Sequence, residues 1–301
     1  MPNLEKNNPP IGRLEEIQIE LPGIRLAALR DPARAGRGRP LLAVHGWLDN
    51  AASFLPLAAE LAAGGGAFDL VAIDLPGHGH SGHRAAGHWY HLIDYVADLL
   101  HAADALGWPE FFLLGHSLGG AVSTLTAAAA PERIQKLAVI EGLGPLAGKP
   151  ARGGERLAAA WHELAKVDPS RLRRYTSIDE AVTARRAKLD MPLDAARLII
   201  ERGLRADGEH FLWRSDPRLN ITNPQRFTEE QIRHFIAAIA CPVLVVLADP
   251  PTPLLAAAAM QQRYAALANG RIVSLPGSHH VHMEQAAALA RELAAFLDKE
   301  A

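Results

Sequence analysis

The chain has 301 residues, 49% of them hydrophobic, and a formal net charge of −2. That is apolar material for one large core, or a core with an insertion, and the balanced charge leaves no basic footprint for nucleic acid. A single cysteine, Cys241, excludes an intrachain disulfide; standing before Pro242 at the head of an apolar run, it reads as a small packed hydrophobe. The first ten residues carry no apolar signal core, and no apolar run is long enough to span a bilayer. The expectation is a soluble cytoplasmic protein with a small-molecule substrate and no nucleic-acid or membrane partner; oligomeric state leaves no trace in the sequence.

In chain order, 15–21 and 24–29 alternate as two strands joined at Pro22-Gly23, a hairpin signal. From Leu41 onward the pattern changes to short, continuous apolar runs at 41–44, 70–73, 111–114, 137–140, 243–247 and 272–275. Runs of this length suit strands buried on both faces, as in a parallel sheet. Between them lie helical stretches at 51–63, 89–106, 118–130, 254–268 and 281–298. An antiparallel start followed by strand-helix repeats predicts an α/β fold with a mostly parallel, doubly wound sheet. From Gly142 to about Ala240 the rhythm breaks: the stretch reads as helical segments without a strong strand, with clustered charge at 171–174 and 185–186. We read 11–141 and 241–301 as the core, and 142–240 as a helical cap inserted after the sixth strand.

The chemistry centres on Gly115-His116-Ser117-Leu118-Gly119, which follows the apolar run 111–114 and opens the helix at 118. Strand, Gly-x-Ser-x-Gly, helix is the context of a nucleophile elbow. Such a turn holds the serine at positive φ and brings strand and helix so close that side chains two positions either side would collide. The plainer reading is a glycine-rich turn with a capping serine. A serine hydroxyl needs a base, an orienting acid and an oxyanion hole. The base belongs in the loop after the last strand, where His279, His280 and His282 compete. The oxyanion donors would be the backbone N–H of Leu118, just after the serine, and that of Trp47, in the loop after the third strand. The acid is either Glu141, ending the sixth strand, or Asp249, ending the seventh. The plainer alternatives are a salt bridge for Glu141 and a turn-forming Asp-Pro for Asp249.

Two patterns invite other chemistry. Gly77-His78-Gly79-His80-Ser81-Gly82 matches a dinucleotide fingerprint, but no helix opens at the glycines and no acidic residue ends a following strand. His78, His80, His83, His88 and His91 suggest a metal, but no cysteine joins them and acids stand only at the edges; a solvated histidine-rich loop is the better reading. No cofactor and no metal are expected. Trp161, Leu164, Phe211, Leu212 and Trp213 are candidates either for pocket lining or for the core of the insertion.

Taken together, His45-Gly46-Trp47, the run from Asp74 to Ser81, Gly115 to Gly119 and Pro276-Gly277-Ser278-His279 resemble the α/β-hydrolase superfamily over nearly the whole chain. The wording from His45 to Phe54, from Ile140 to Pro145 and from His279 to Glu284 is similar to the serine hydrolase-like (Kraken-type) group. The resemblance implies the α/β-hydrolase fold and a base five positions before a helix glutamate, which makes Glu284 point to His279; Ser278, standing where glycine is usual, keeps His280 as the alternative. It also places Pro251 where the usual aspartate would stand, a departure similar to that of haloalkane dehalogenases with an acid after the sixth strand. This favours Glu141, with Asp249 as the alternative. Those dehalogenases use an aspartate nucleophile, whereas this chain has Ser117, so ester-type acyl transfer is implied rather than dehalogenation. The alternatives are a ligand-binding protein of this fold without turnover, or hydrolysis of a lactone, amide or carbon–carbon bond.

Overall fold

A computed structural model describes residues 14–65, 68–168, 172–252 and 258–298. The start assigned to the core at residue 11, the signal-free N-terminus, Arg171 and the helical reading over 254–257 lie outside these residues. The main sheet has eight strands: β1 (Glu15–Leu21), β2 (Ile24–Arg30), β3 (Arg39–Val44), β4 (Phe68–Ile73), β5 (Phe111–His116), β6 (Ile134–Ile140), β9 (Val243–Asp249) and β10 (Gly270–Pro276). Their spatial order is β1-β2-β4-β3-β5-β6-β9-β10. β2 runs antiparallel to β1 and β4, and every later pair in this order is parallel.

The continuous apolar runs are explained by helices on both faces. Side chains alternate along each strand: Leu42, Val44, Val71, Ile73, Leu113, Val243 and Val245 enter one core. Leu41, Ala43, Leu70, Ala72, Phe112, Leu114, Leu244 and Val246 enter the other. The first core is closed by α2 (Leu92–Ala105), α3 (Leu118–Ala129), α7 (Glu229–Ala237) and α8 (Ala258–Ala265), through residues such as Leu99, Val122, Ile232 and Met260. The second is closed by α1 (Leu55–Ala63) and α10 (Ala286–Asp298), through Leu57, Leu61, Leu289, Leu293 and Phe296. Each such side chain contributes about 1.5–3 kcal/mol on burial.

Helix edges differ from expectation in small ways. The stretch 51–63 is a 3₁₀ turn, Ala51–Phe54, capped by Asn50, and then α1 with Pro56 in its first turn, where its missing N–H is no loss. The stretch 281–298 is divided into α9 (Val281–Glu284) and α10. α2 starts at Leu92 because His91 is still extended.

Between β6 and β9 lie α4 (Gly153–Leu164), α5 (Ile178–Arg186), α6 (Leu193–Gly203), a hairpin of β7 (Leu204–Asp207) and β8 (His210–Trp213), and α7. The hairpin corrects the purely helical expectation. Its strands are four residues each, too short for alternation to register, and β7 follows α6 without a break. Gly208-Glu209 is the two-residue connection, and Gly208, at its first position, takes the positive φ that such a turn needs. α5, α6 and the hairpin share their own small core around Tyr175, Val182, Ile199, Ile200 and Leu204, whereas α7 belongs to the main one. The segment is tied to the strand-end loops by Arg185 to Asp49 and Arg202 to Asp74, and by Asn50 Nδ2 donating to Ile199 O at 2.8 Å. Among the described residues no helix is long and apolar enough to cross a membrane.

Candidate active site

The loops at the carboxyl ends of β3, β5 and β6 meet around Ser117. Among the described residues, the non-glycine positions with positive φ are Leu48, Ser117 and Glu141, at 58°, 52° and 53°. Strain of about 1–3 kcal/mol per residue is thus concentrated at these strand ends. The elbow needs its glycines. A Cβ on Gly119 would lie 2.0 Å from the Val44 carbonyl oxygen, and one on Gly115 would lie 2.4 Å from that of Gly119. The Ser117 N–H donates to Ile140 O at 2.9 Å and the Gly119 N–H to His45 O at 3.0 Å, which locks the turn between its neighbouring strands. Ser117 Oγ makes no hydrogen bond to a described residue, nor do the backbone N–H groups of Trp47 and Leu118.

The structure brings His279 to Glu141. His279 Nδ1 lies 3.2 Å from Glu141 Oε2. Glu141 is 2% exposed, and its carboxylate also accepts from the Ala248 N–H at 2.7 Å and the Thr252 hydroxyl at 2.8 Å. Burial alone would raise the Glu141 carboxyl, but these three partners outweigh it and hold the group below its ordinary value. Asp249 is exposed, and its carboxylate has no hydrogen bond or ion pair to a described residue; its backbone oxygen accepts from Gly277.

His280 points elsewhere. Its Nε2 lies 3.2 Å from Asp49 Oδ2, in a buried group that includes His116, His282 and Arg185. His116 Nε2 lies 2.9 Å from the His279 carbonyl oxygen, so a residue inside the elbow motif also braces the loop carrying His279. Burial and the neighbouring His279 and His280 push the His116 imidazole down to about 4, against the Asp49 carboxylate. Neutral His116 then donates from Nε2 to that carbonyl. His282 is fully buried, with neither ring nitrogen hydrogen-bonded among the described residues.

Sequence reasoning missed this brace, and the position of Asp49 in His45-Gly-Trp-Leu-Asp49 was its signal. Asp49, His116 and His280 bring ligand atoms within 4.8 Å of one another. Arg185 already engages the Asp49 carboxylate and supplies the positive charge, so the set is a brace for the site rather than a fit for a cation. The histidines at 78–91 do not converge in this way. His78, expected in solvent, is buried and its ring pushed down to about 3 by that burial; His80 pairs with Glu16 at 2.7 Å. The glycine-rich loop itself wraps Asp74, which accepts from the Ala51 and His80 N–H groups and pairs with Arg202.

Ser117, Glu141 and His279 line one cavity of about 290 Å³, with Trp47, Leu92, Leu118, Leu146, Arg226 and Phe227 among its walls. None of the aromatic and leucine candidates of the insertion lines it. Phe211 and Trp213 pack on the small core beside buried Leu212, and Trp161 is 59% exposed. Sequence periodicity assigns such residues an apolar face but not its neighbour.

A doubly wound sheet, a serine on a strained strand-to-helix turn, and a histidine–carboxylate pair define an α/β hydrolase. A family model described as the alpha/beta hydrolase fold matches residues 39–179. A probable serine hydrolase of Drosophila melanogaster is 31% identical, over 87% of this chain and 82% of its own. A serine hydrolase-like protein of Danio rerio is 28% identical with the same coverage. The crystal structure of a hypothetical protein from Pseudomonas aeruginosa PAO1 is 39% identical with a TM-score of 0.87, covering 95% of this chain and 100% of that one. The chain belongs to the α/β-hydrolase family, in its serine hydrolase-like group, and is by that membership a hydrolase.

Proposed function

We propose that the protein cleaves a carboxylic ester, or a related acyl bond, through an acyl-enzyme formed on Ser117. The observation that carries this reading is the His279–Glu141 contact of 3.2 Å, made on the wall of the cavity that Ser117 also lines. With Glu141 ionised and holding Nδ1–H, the other ring nitrogen of His279 is left as the acceptor for the serine proton. Ser117 Oγ attacks the carbonyl carbon while His279 Nε2 takes the hydroxyl proton. Negative charge then gathers on the carbonyl oxygen, where the N–H groups of Trp47 and Leu118 would receive it; their lack of another acceptor among the described residues supports this role. His279 returns the proton to the leaving alcohol. Water then repeats the sequence on the acyl-enzyme and frees the acid and Ser117.

In this reading α4 to α6 and the β7–β8 hairpin form the cap, held by the Arg185–Asp49 and Arg202–Asp74 pairs. A fluorophosphonate probe is expected to label the protein at one site, and Ser117→Ala to abolish that labelling. Labelling that survives the substitution would overturn the assignment of the nucleophile.

A further inference from the structure

Beside the serine's cavity lies a second chamber of about 390 Å³. The two share Trp47, Leu92, Leu118, Leu146, Asn223 and Arg226 as wall residues, so they adjoin. Their polarity differs. The acid on the first is Glu141, which His279 engages. The second is lined by Arg156, Arg218 and Arg226, with no aspartate or glutamate among the described residues of its wall.

Arg218 is fully committed. Its guanidinium donates to both Asp216 carboxylate oxygens and to the carbonyls of Arg84, Ala85 and His88. Arg156 and Arg226 have no such partners: among the described residues, neither guanidinium has a hydrogen bond or a carboxylate at ion-pair distance. They are close enough to oppose each other's charge. Arg226 is itself exposed; its partial burial first, and then the Arg156 charge, hold its guanidinium below its ordinary value, while Glu155, at longer range, offsets part of the Arg156 charge. Two like charges on one wall are unfavourable until an anion joins them, and the guanidinium fork matches a carboxylate or phosphate. A further donor stands on the same wall. The Asn223 side-chain oxygen is taken by the Gln225 N–H at 3.0 Å, which leaves its NH₂ group as a donor.

We infer that Arg226 and Arg156 form an anion-binding subsite, and that the substrate is an ester whose far end carries a carboxylate or phosphate-type group held there while its apolar carbonyl end lies against Ser117. The inference rests on the proposed serine chemistry and adds the substrate class to it. Arg226 lines both chambers; Arg156, on α4, lines the second alone.

The test uses three p-nitrophenyl esters of matched chain length on the intact protein. One acyl chain ends in a free carboxylate, one in a phosphonate, and one in a neutral methyl ester. At least one anionic ester is expected to exceed the neutral one in kcat/KM by about tenfold or more, as charge-assisted hydrogen bonds provide; which anion leads tells carboxylate from phosphate-type chemistry. Arg226→Gln and Arg156→Gln are each expected to bring the anionic-to-neutral ratio towards one, Arg226→Lys to keep part of it, and added salt to lower it in the wild type. The ratio is the readout because a general loss of folding or catalysis lowers both rates together. Equal rates on charged and neutral esters, or a ratio that both glutamine variants leave unmoved, would overturn the subsite. No turnover of any ester, together with no fluorophosphonate labelling, would overturn the serine chemistry instead.

Discussion

The strand-end loops around Ser117 and the segment between β6 and α7 are specified by different physics. At the elbow the backbone itself selects the residue: Gly115 and Gly119 face carbonyl oxygens at distances that admit no Cβ, and Ser117 and Glu141 are held at positive φ. In the segment, Gly153 and Gly154 have open space where a Cβ would stand, and order comes mainly from a small apolar core and from arginines reaching Asp49 and Asp74. Steric selection leaves a compact motif in the sequence. Pairing between distant side chains leaves only two unremarkable residues far apart.

This contrast can be broken by substitution. Gly119→Ala forces a Cβ towards the Val44 carbonyl and is expected to cost about 4 kcal/mol, read as a shifted urea midpoint; a loss below about 1 kcal/mol would show that the elbow relaxes easily. Ile199→Ala, in the small core of the segment, is expected to cost about 3 kcal/mol in the same measurement while fluorophosphonate labelling persists. Loss of labelling would show that the two regions are not separable.

The buried histidines of the brace make stability depend on pH. The His116 ring titrates near 4 in the fold, against 6.5 ordinarily. As pH falls from about 6.5 to about 4, the unfolded chain takes up this proton first, so the folded state loses up to about 1.4 kcal/mol per pH unit from this group. Buried His282, also pushed down by burial, acts with the same sign. Glu141 extends the trend further into acid: its contribution is complete above 4.5 and is lost as pH falls through a lower folded value. Thermal melts at pH 7, 6 and 5 should show a falling midpoint, with a shallower slope in His116→Asn; a flat wild-type profile would contradict the buried, neutral assignment.

Much of the fold was legible because the inner strands β3 to β6 and β9 bury both faces and so write apolar runs; the run at 272–275 does not follow that rule, since β10 is an edge strand and Ile272 is 46% exposed. The positive φ of Ser117, the glycines beside it and the meeting of His279 with Glu141 were legible too, the last through Pro251 standing where an aspartate is usual. The hairpin at β7–β8 was not, since four-residue strands carry too little alternation against the adjoining helix. The Asp49 brace and the Arg156–Arg226 pair were also hidden, because their character depends on which side chains other elements bring beside them. His78 was misread as solvated because its loop is rich in glycine and histidine, whereas the loop folds inward around Asp74.

We propose that the carboxylate serving His279 stands at the end of β6, at Glu141. The most direct test compares kcat/KM of Glu141→Gln and Asp249→Asn on one neutral p-nitrophenyl ester. Glutamine keeps the shape but removes the charge that holds the imidazole, so Glu141→Gln is expected to lose about 10³-fold or more, with Asp249→Asn within about twofold of wild type. Loss confined to Asp249→Asn would contradict the account.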